Sequence, residues 1–161
     1  MQTKIAMEQA IYVIVILSYQ KNRMPVKSRT LSNLLSVSDS YLKKILGQLV
    51  RVGILKSSAN KNGGVYIEKE LKEISFLDIF QAVEGEGSFF KNHELQNKVK
   101  IINKDDFVFK GLKTIGVFHN AEMQYKEVLR NFTMEDLLRG GDIDPFSIDL
   151  DEFMRGKDNI K

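Results

Sequence analysis

The stretch Ser38-Asp39-Ser40-Tyr41-Leu42-Lys43-Lys44-Ile45-Leu46-Gly47-Gln48-Leu49 reads as an amphipathic helix. Leu42, Ile45, Leu46 and Leu49 share one face, while Tyr41, Lys44, Gln48 and Arg51 recur at steps of three and four on the other. One face anchors and the other is free to touch a partner. Upstream, residues 27–35 form a second short helix, and Ser36-Val37 leaves a turn of only a few residues before Ser38 begins the next. So tight a joint predicts a helix-turn-helix. Downstream, residues 54–58 and 65–67 flank the polar turn Ala59-Asn60-Lys61-Asn62-Gly63-Gly64, the pattern of a wing. Helix pair and wing together imply a DNA-binding module, although the hairpin alone would pass for an ordinary surface turn.

Charge agrees. The 161-residue chain has a net charge of +3, but residues 1–70 carry 11 Lys and Arg against 4 Asp and Glu, and residues 71–161 carry 13 against 17. The basic half is the half with the wing, and cations near phosphates release condensed counterions, a sequence-independent source of affinity. A basic half can also serve solubility alone; its coincidence with the helix-turn-helix pattern favours nucleic acid. The longest apolar run, Ala10 to Leu17, is far short of the roughly 20 residues of a membrane-spanning helix. Only Lys4 precedes it, Glu8 flanks it, and Ser18-Tyr19-Gln20 offers no small-residue cleavage site, so a cytoplasmic protein without a membrane segment is expected. There is no cysteine, which excludes disulfides, thiolate metal sites and cysteine-ligated clusters.

Residues 3–19 form a helix that is apolar nearly all round, which implies burial on several sides and a second surface such as a partner subunit. Pro25 separates it from the next helix. Leu31, Leu34 and Leu35 are spaced to pack on the helix after the turn, Ser38 is a suitable N-cap, and Gly53 suits a positive-φ helix end. Ser75 with Asp78, and Thr133 with Asp136, are capping-box patterns ahead of two short helices. Residues 86–104 are polar and read as a connector with weak or short helical structure. A long helix then runs from about Asp105 to Asn131, with Val108, Leu112, Ile115, Phe118, Ala121, Tyr125, Val128 and Phe132 stepping by three and four. A small domain cannot cover such a stripe unaided, so pairing with a second copy is expected, with packing inside one chain as the other possibility. The expected division is a winged helix-turn-helix domain at 1–85, a connector at 86–104, a dimerisation helix and short terminal helix at 105–138, and an acidic tail at 139–161. The tail has Phe146, Leu150 and Phe153 at helical spacing, consistent with weak docking or a mobile end. Its Asp142 and Asp144 do not make a calcium loop, because Ser147 and Phe153 stand where Gly and Glu would be needed.

In this order the features resemble the Rrf-two family of bacterial transcription factors, which includes the iron-sulfur cluster regulator and the repressor of cysteine metabolism. The segments that carry the resemblance are residues 26–38, Tyr41-Leu42 with Ile45-Leu46, Val52-Gly53-Ile54-Leu55, Asn62-Gly63-Gly64-Val65-Tyr66, Ile74-Ser75 with Asp78-Ile79, Ala82-Val83-Glu84-Gly85, and Thr133 with Asp136-Leu137-Leu138. The resemblance implies a mainly α fold with a small β wing, acting as a dimer: recognition helix in the major groove, wing at the minor groove, long helix crossing its twin. By position it assigns Ser38, Ser40, Tyr41 and Lys44 to the DNA-facing part of the recognition helix and Arg29 to the backbone side of the supporting helix. Gln48 joins them from the helix pattern, and Lys61, Asn62 and Gly63 from the wing. Many relatives place an arginine where this chain has Asn60; Lys61 could supply that charge. Val108, Leu112, Ile115, Phe118, Tyr125 and Val128 are the expected dimer contacts. Cluster-binding relatives carry three cysteines in the connector and this chain has none, so an iron-sulfur sensor is excluded by the residues themselves.

The expected function is a homodimeric transcriptional regulator, a repressor, on a dyad-symmetric operator in double-stranded DNA. The alternative is an adaptor that keeps the winged fold and docks on an enzyme or another regulator, motivated by the all-round apolar first helix and the acidic tail. An effector, if the protein has one, is a small molecule between connector and dimer helix or a protein partner. His93 and His119, the latter sharing a helix face with Glu122, are weak metal candidates. Catalysis is disfavoured: Gly85-Glu86-Gly87 follows a helix instead of a strand and lacks the rest of either nucleotide motif, and no Ser/His/Asp arrangement stands out.

Overall fold

The structure, a computed structural model, describes residues 4–60, 63–100 and 103–158, with the side chains of residues 157 and 158 excepted. Eight α-helices and one β-hairpin are formed among them: α1 (Ile5–Tyr19), α2 (Ser28–Leu35), α3 (Asp39–Arg51), β1 (Leu55–Ser58), β2 (Gly64–Ile67), α4 (Phe76–Glu84), α5 (Leu95–Lys98), α6 (Lys104–Arg130), α7 (Met134–Leu138) and α8 (Leu150–Asp158). The fold is mainly helical, with a two-stranded antiparallel wing in which Leu55 pairs with Ile67 and Ser58 with Gly64. No helix among the described residues is long and apolar enough to cross a membrane.

The anchoring face of α3 is the expected one, for Leu42, Ile45, Leu46 and Leu49 are all buried. They pack with Ala10, Val13, Ile14 and Leu17 of α1, Leu31 of α2, and Leu77, Ile79 and Phe80 of α4. Each such side chain removed from water contributes about 1.5–3 kcal/mol, so this one stripe outweighs the cost of a short, weakly helical segment. Ser36, at φ 55°, ends α2 in the left-handed region and starts the turn. At the other end of α3 the Ile54 amide donates to Leu49 O at 3.0 Å and Gly53 sits at φ 73°, a Schellman-type stop that turns the chain into β1.

Both capping boxes form. The Asp78 amide donates to Ser75 Oγ and the Asp136 amide to Thr133 Oγ1, each box closed by the reciprocal carboxylate bond. The two capped starts also pair through their backbones: the Phe76 amide donates to Phe132 O and the Met134 amide to Ile74 O, both at 2.9 Å. Met134 is fully buried, so the far end of α6 is tied into the winged module. The start of α6 differs in detail from expectation, since Asn103 Oδ1 accepts from the Asp106 amide and serves as the cap ahead of the two aspartates.

One feature has no counterpart in the sequence patterns, and a second decides between the docked and mobile tail. Val26 exchanges both backbone hydrogen bonds with Val65, at 2.9 Å each, and so adds a one-residue third strand to the wing. The C-terminal tail docks: the Phe146 amide donates to Ser18 O, the Ile148 amide to Tyr19 O and the Lys21 amide to Ile148 O, at 2.7–2.8 Å, and Leu150 is buried. Arg23 braces the same corner, donating to Glu68 O, pairing with Glu70 at 2.8 Å and lying over the Phe146 ring.

The Val26–Val65 bridge brings backbone so close to Gly64 that a Cβ there would lie 2.3 Å from Val26 O. Gly64→Ala is therefore expected to destabilise the fold by about 1–3 kcal/mol, the range for overpacking. Gly47, in the middle of α3 with nothing within 4 Å of a built Cβ, should respond oppositely, Gly47→Ala stabilising by about 0.5–1 kcal/mol. Urea denaturation of the two variants beside the wild type checks both signs.

Candidate nucleic-acid interface

The start of α2, one flank of α3 and the wing enclose a groove of about 790 Å³. Among the described residues its cations are Lys27, Arg29 and Lys43 and its one carboxylate is Asp39, and residues 57–60 with Gly63, Gly64 and Val65 form its wing side. Asp39 pairs with Lys43 across one helical turn at 2.7 Å. Hydrogen bonds from Lys43, then Ser28, with Arg29 nearby, hold the Asp39 carboxyl below the usual carboxylate range. The pair orients the Lys43 ammonium toward the groove.

Neither helix facing the groove has its first turn closed by a side chain. Lys27 occupies the N-cap of α2 without a capping bond. Ser38 occupies the expected N-cap position of α3, but its Oγ bonds the Ser40 hydroxyl at 2.9 Å and caps no amide. The amides at both helix starts, with their partial positive charge, are left for solvent or for an oxyanion.

The expected DNA-facing residues fall into two groups. Arg29 and Gly63 meet in the groove, with Arg29 exposed. Ser38, Ser40, Tyr41, Lys44 and Gln48 do not line it; they form the adjoining outer surface of α3, where Ser38, Ser40, Tyr41 and Lys44 are exposed and Gln48 is half-buried. Lys61 and Asn62 lie outside the described residues. Sequence reasoning missed Lys27 and Lys43. Sequence shows only that Lys43 lies about 100° from Lys44 and one turn from Asp39; packing decides that this side of α3 meets the wing.

Along α6 the expected dimer positions have different surroundings. Tyr125 packs edge-on against Phe80 and Phe89, at 5.7 and 5.1 Å between ring centres, and Phe118 stacks on Phe90 at 4.3 Å. Ile115 and Val108 are half-buried, whereas Leu112 and Val128 are 60% and 69% exposed. Phe109 and Met123, not among the expected contacts, are also exposed. They share the outer side of the helix with Leu112, because spacings of three, eleven and fourteen residues return to one face.

The connector is held by a carboxylate. Glu122 is buried on α6 and accepts from Ser88 Oγ at 2.6 Å, the Phe89 amide at 3.2 Å and Lys126 Nζ at 2.6 Å. The Lys126 and Ser88 hydrogen bonds are the main causes that bring its pKa down to about 2. Further along, α5 lies on α6 so closely that a Cβ at Gly111 would be 2.7 Å from the Gln96 side chain. Among the described residues no group of three or more His, Cys, Asp or Glu is arranged to hold a metal ion, and His119 is exposed while its helix neighbour Glu122 is committed to the connector.

The comparisons agree with this architecture. Residues 3–140 match the Rrf2 family model, described as an iron-dependent transcriptional regulator. A Lactococcus lactis protein, YffB, provisionally named an HTH-type transcriptional regulator, is 47% identical over 88 residues, covering 55% of this chain and 56% of its own length. YwgB of Bacillus subtilis, provisionally named in the same way, is 38% identical over 99 residues, covering 62% and 64%. The matches thus span less than two thirds of either relative. The structure of CymR, the global cysteine regulator of B. subtilis, superimposes with a TM-score of 0.66 at 20% identity, over 88% of this chain and 99% of that one. The family description names iron, but the residues of this chain do not fit a cysteine-ligated cluster, since no thiolate exists to bind it.

Glu122 gives a pH signature. A carboxyl whose folded pKa lies below its unfolded value of 4.5 adds stability that is complete above about 4.5 and is lost as pH falls toward about 2. The stability of the wild type should decline across that window, and Glu122→Gln should remove this component while lowering stability at neutral pH, where Lys126 loses its counter-ion. Urea midpoints measured from pH 7 to pH 2 report both effects. The chain belongs to the Rrf2 family of transcriptional regulators.

Proposed function

We propose that this protein is a homodimeric DNA-binding repressor of the cytoplasm, that it recognises a dyad-symmetric operator, and that it works without an iron-sulfur cluster. The observation that carries the reading is the basic groove of Lys27, Arg29 and Lys43 beside the exposed polar surface of α3. Phosphate contacts fix position and base contacts specify sequence, and the two surfaces divide the work in that way. Lys27, Arg29, Lys43 and the uncapped amides of α2 and α3 grip the backbone, while Ser40, Tyr41, Lys44 and Gln48 face the major groove. The wing, from Gly63 on, flanks the adjoining minor groove. Lys61 and Asn62 belong to this wing contact.

The dimer follows from α6. Phe109, Leu112 and Met123 are apolar and exposed on one side of a helix of 27 residues, and Val128 is exposed on another; exposed apolar surface on more than one side of a helix calls for a cover. A second copy crossing at α6, with half-buried Val108, Ile115 and Tyr125 and the exposed Phe118 contributing to the contact, would set two α3 helices about one DNA turn apart. The domain division at residues 85, 104 and 138 is retained in this reading, with the connector as the place where an effector, a small molecule or a protein, would act.

A mostly apolar groove of about 350 Å³ on α1, lined by Met7, Ile11, Tyr12, Val15, Phe76 and Leu137 with Glu8 as its one charged residue, favours a second reading in which the winged fold is an adaptor for a protein partner. DNA titrations separate the two. A repressor should bind its own upstream region with a steep loss of affinity on adding salt; an adaptor should show only the shallow, sequence-blind binding of a basic protein. Arg29→Ala should weaken every duplex and flatten the slope of log K against log salt by about 0.9. Gln48→Ala should change sequence preference. Leu112→Asp with Val128→Asp should yield monomers in sedimentation and a matching loss of operator affinity.

A further inference from the structure

The acidic tail has no part in the reading above, yet it ends beside the DNA-facing surface. Residues 142–158 carry six carboxylates against two cations. The tail is anchored at three levels: the backbone bonds of Phe146 and Ile148 to the end of α1, burial of Leu150, and a bond from the Leu150 amide to the buried side chain of Gln20 at 3.1 Å. These anchors bring Asp149 and Asp151 into a polar cleft of about 470 Å³ with Gln20, Met24, Pro25, Lys27 and Arg155. Lys27 belongs to both this cleft and the basic groove. Asp151 Oδ1 lies 3.5 Å from Thr30 Oγ1, in the first turn of α2.

The position is chemically pointed. The first turn of α2 has no acidic residue and no side-chain cap of its own, so the positive end of the helix meets a carboxylate contributed 121 residues later. The contact is at the outer limit of a hydrogen bond and exposed, hence easily displaced, while the anchors that hold the tail beside it are short and partly buried.

We infer that the docked tail is an intramolecular competitor for DNA: Asp149 and Asp151 occupy the anion-favouring space at Lys27 and the start of α2, and a phosphate must displace them. This rests on the DNA-binding reading. It makes the tail a regulator of affinity, because whatever moves it away from α2 strengthens binding.

The test uses the full chain and a non-operator duplex of roughly 30 base pairs in about 50 mM potassium chloride. Asp149→Asn with Asp151→Asn removes the cleft charge but keeps the shape, and Asn at 149 can still cap α8. The dissociation constant should fall by about three- to ten-fold and the salt slope should steepen by about 0.9, as a phosphate can then approach Lys27 without meeting the tail carboxylates. Asp142→Asn with Asp144→Asn removes equal charge outside the cleft and should change affinity little. Thermal melts of both variants should stay close to the wild type. Unchanged affinity and slope in the cleft variant, or equal shifts in both variants, would overturn the inference and leave the DNA reading intact. If neither wild type nor cleft variant binds any duplex, both fall together.

Discussion

The buried stripe of α3 is the constraint on which the molecule depends. Leu42, Ile45, Leu46 and Leu49 have α1, α2, α4 and the start of β1 as neighbours, so one helix of 13 residues fixes the relative placement of every element in the winged module. Rigid seating matters for recognition as well as stability. In the proposed DNA-binding role α3 has to present Tyr41, Lys44 and Gln48 at a fixed angle, and packing on one side supplies that angle more firmly than a loop.

Polar interactions supply what the core cannot. The paired capping boxes at Ser75 and Thr133 satisfy two helix starts and, through their shared backbone bonds, fasten the end of α6 to the start of α4. Glu122 does the same for the connector, gathering Ser88, the Phe89 amide and Lys126 around one buried carboxylate. In a chain without cysteine, the connector is thus positioned by hydrogen bonds and by the Phe80, Phe89 and Tyr125 cluster. A carboxylate so placed is costly to leave unpaired, which makes the arrangement specific.

Charge is distributed with similar economy. Among the described residues the groove has three cations and one carboxylate, and that carboxylate, Asp39, pairs with Lys43. The larger negative charge sits in the tail, whose Asp149 and Asp151 reach the edge of the same surface. Opposite charge from distant parts of the sequence is therefore brought to one cleft, the arrangement on which the proposed competition with an anionic partner rests.

Periodicity, turn chemistry and composition were enough, by themselves, to define the short helix pair, its anchoring face, the wing, both capping boxes, the glycine stop after α3 and the exclusion of a thiolate cluster. These are local properties: side-chain spacing and backbone preference act over a few residues, so they can be read from a few residues. Tertiary structure decided the rest. The Val26 strand, the docking of Leu150 on the end of α1, the Glu122 hub and the division of α3 cations between groove and outer face all join residues distant in sequence or depend on a helix rotation that spacing alone leaves undetermined. The split along α6 has the same origin. A stripe at Val108 to Val128 states that a helix has an apolar side, but only packing shows that Tyr125 and Phe118 meet aromatic rings of their own chain while Leu112 and Val128 face outward. Periodicity marks which residues seek cover; the cover itself is fixed by three-dimensional contact.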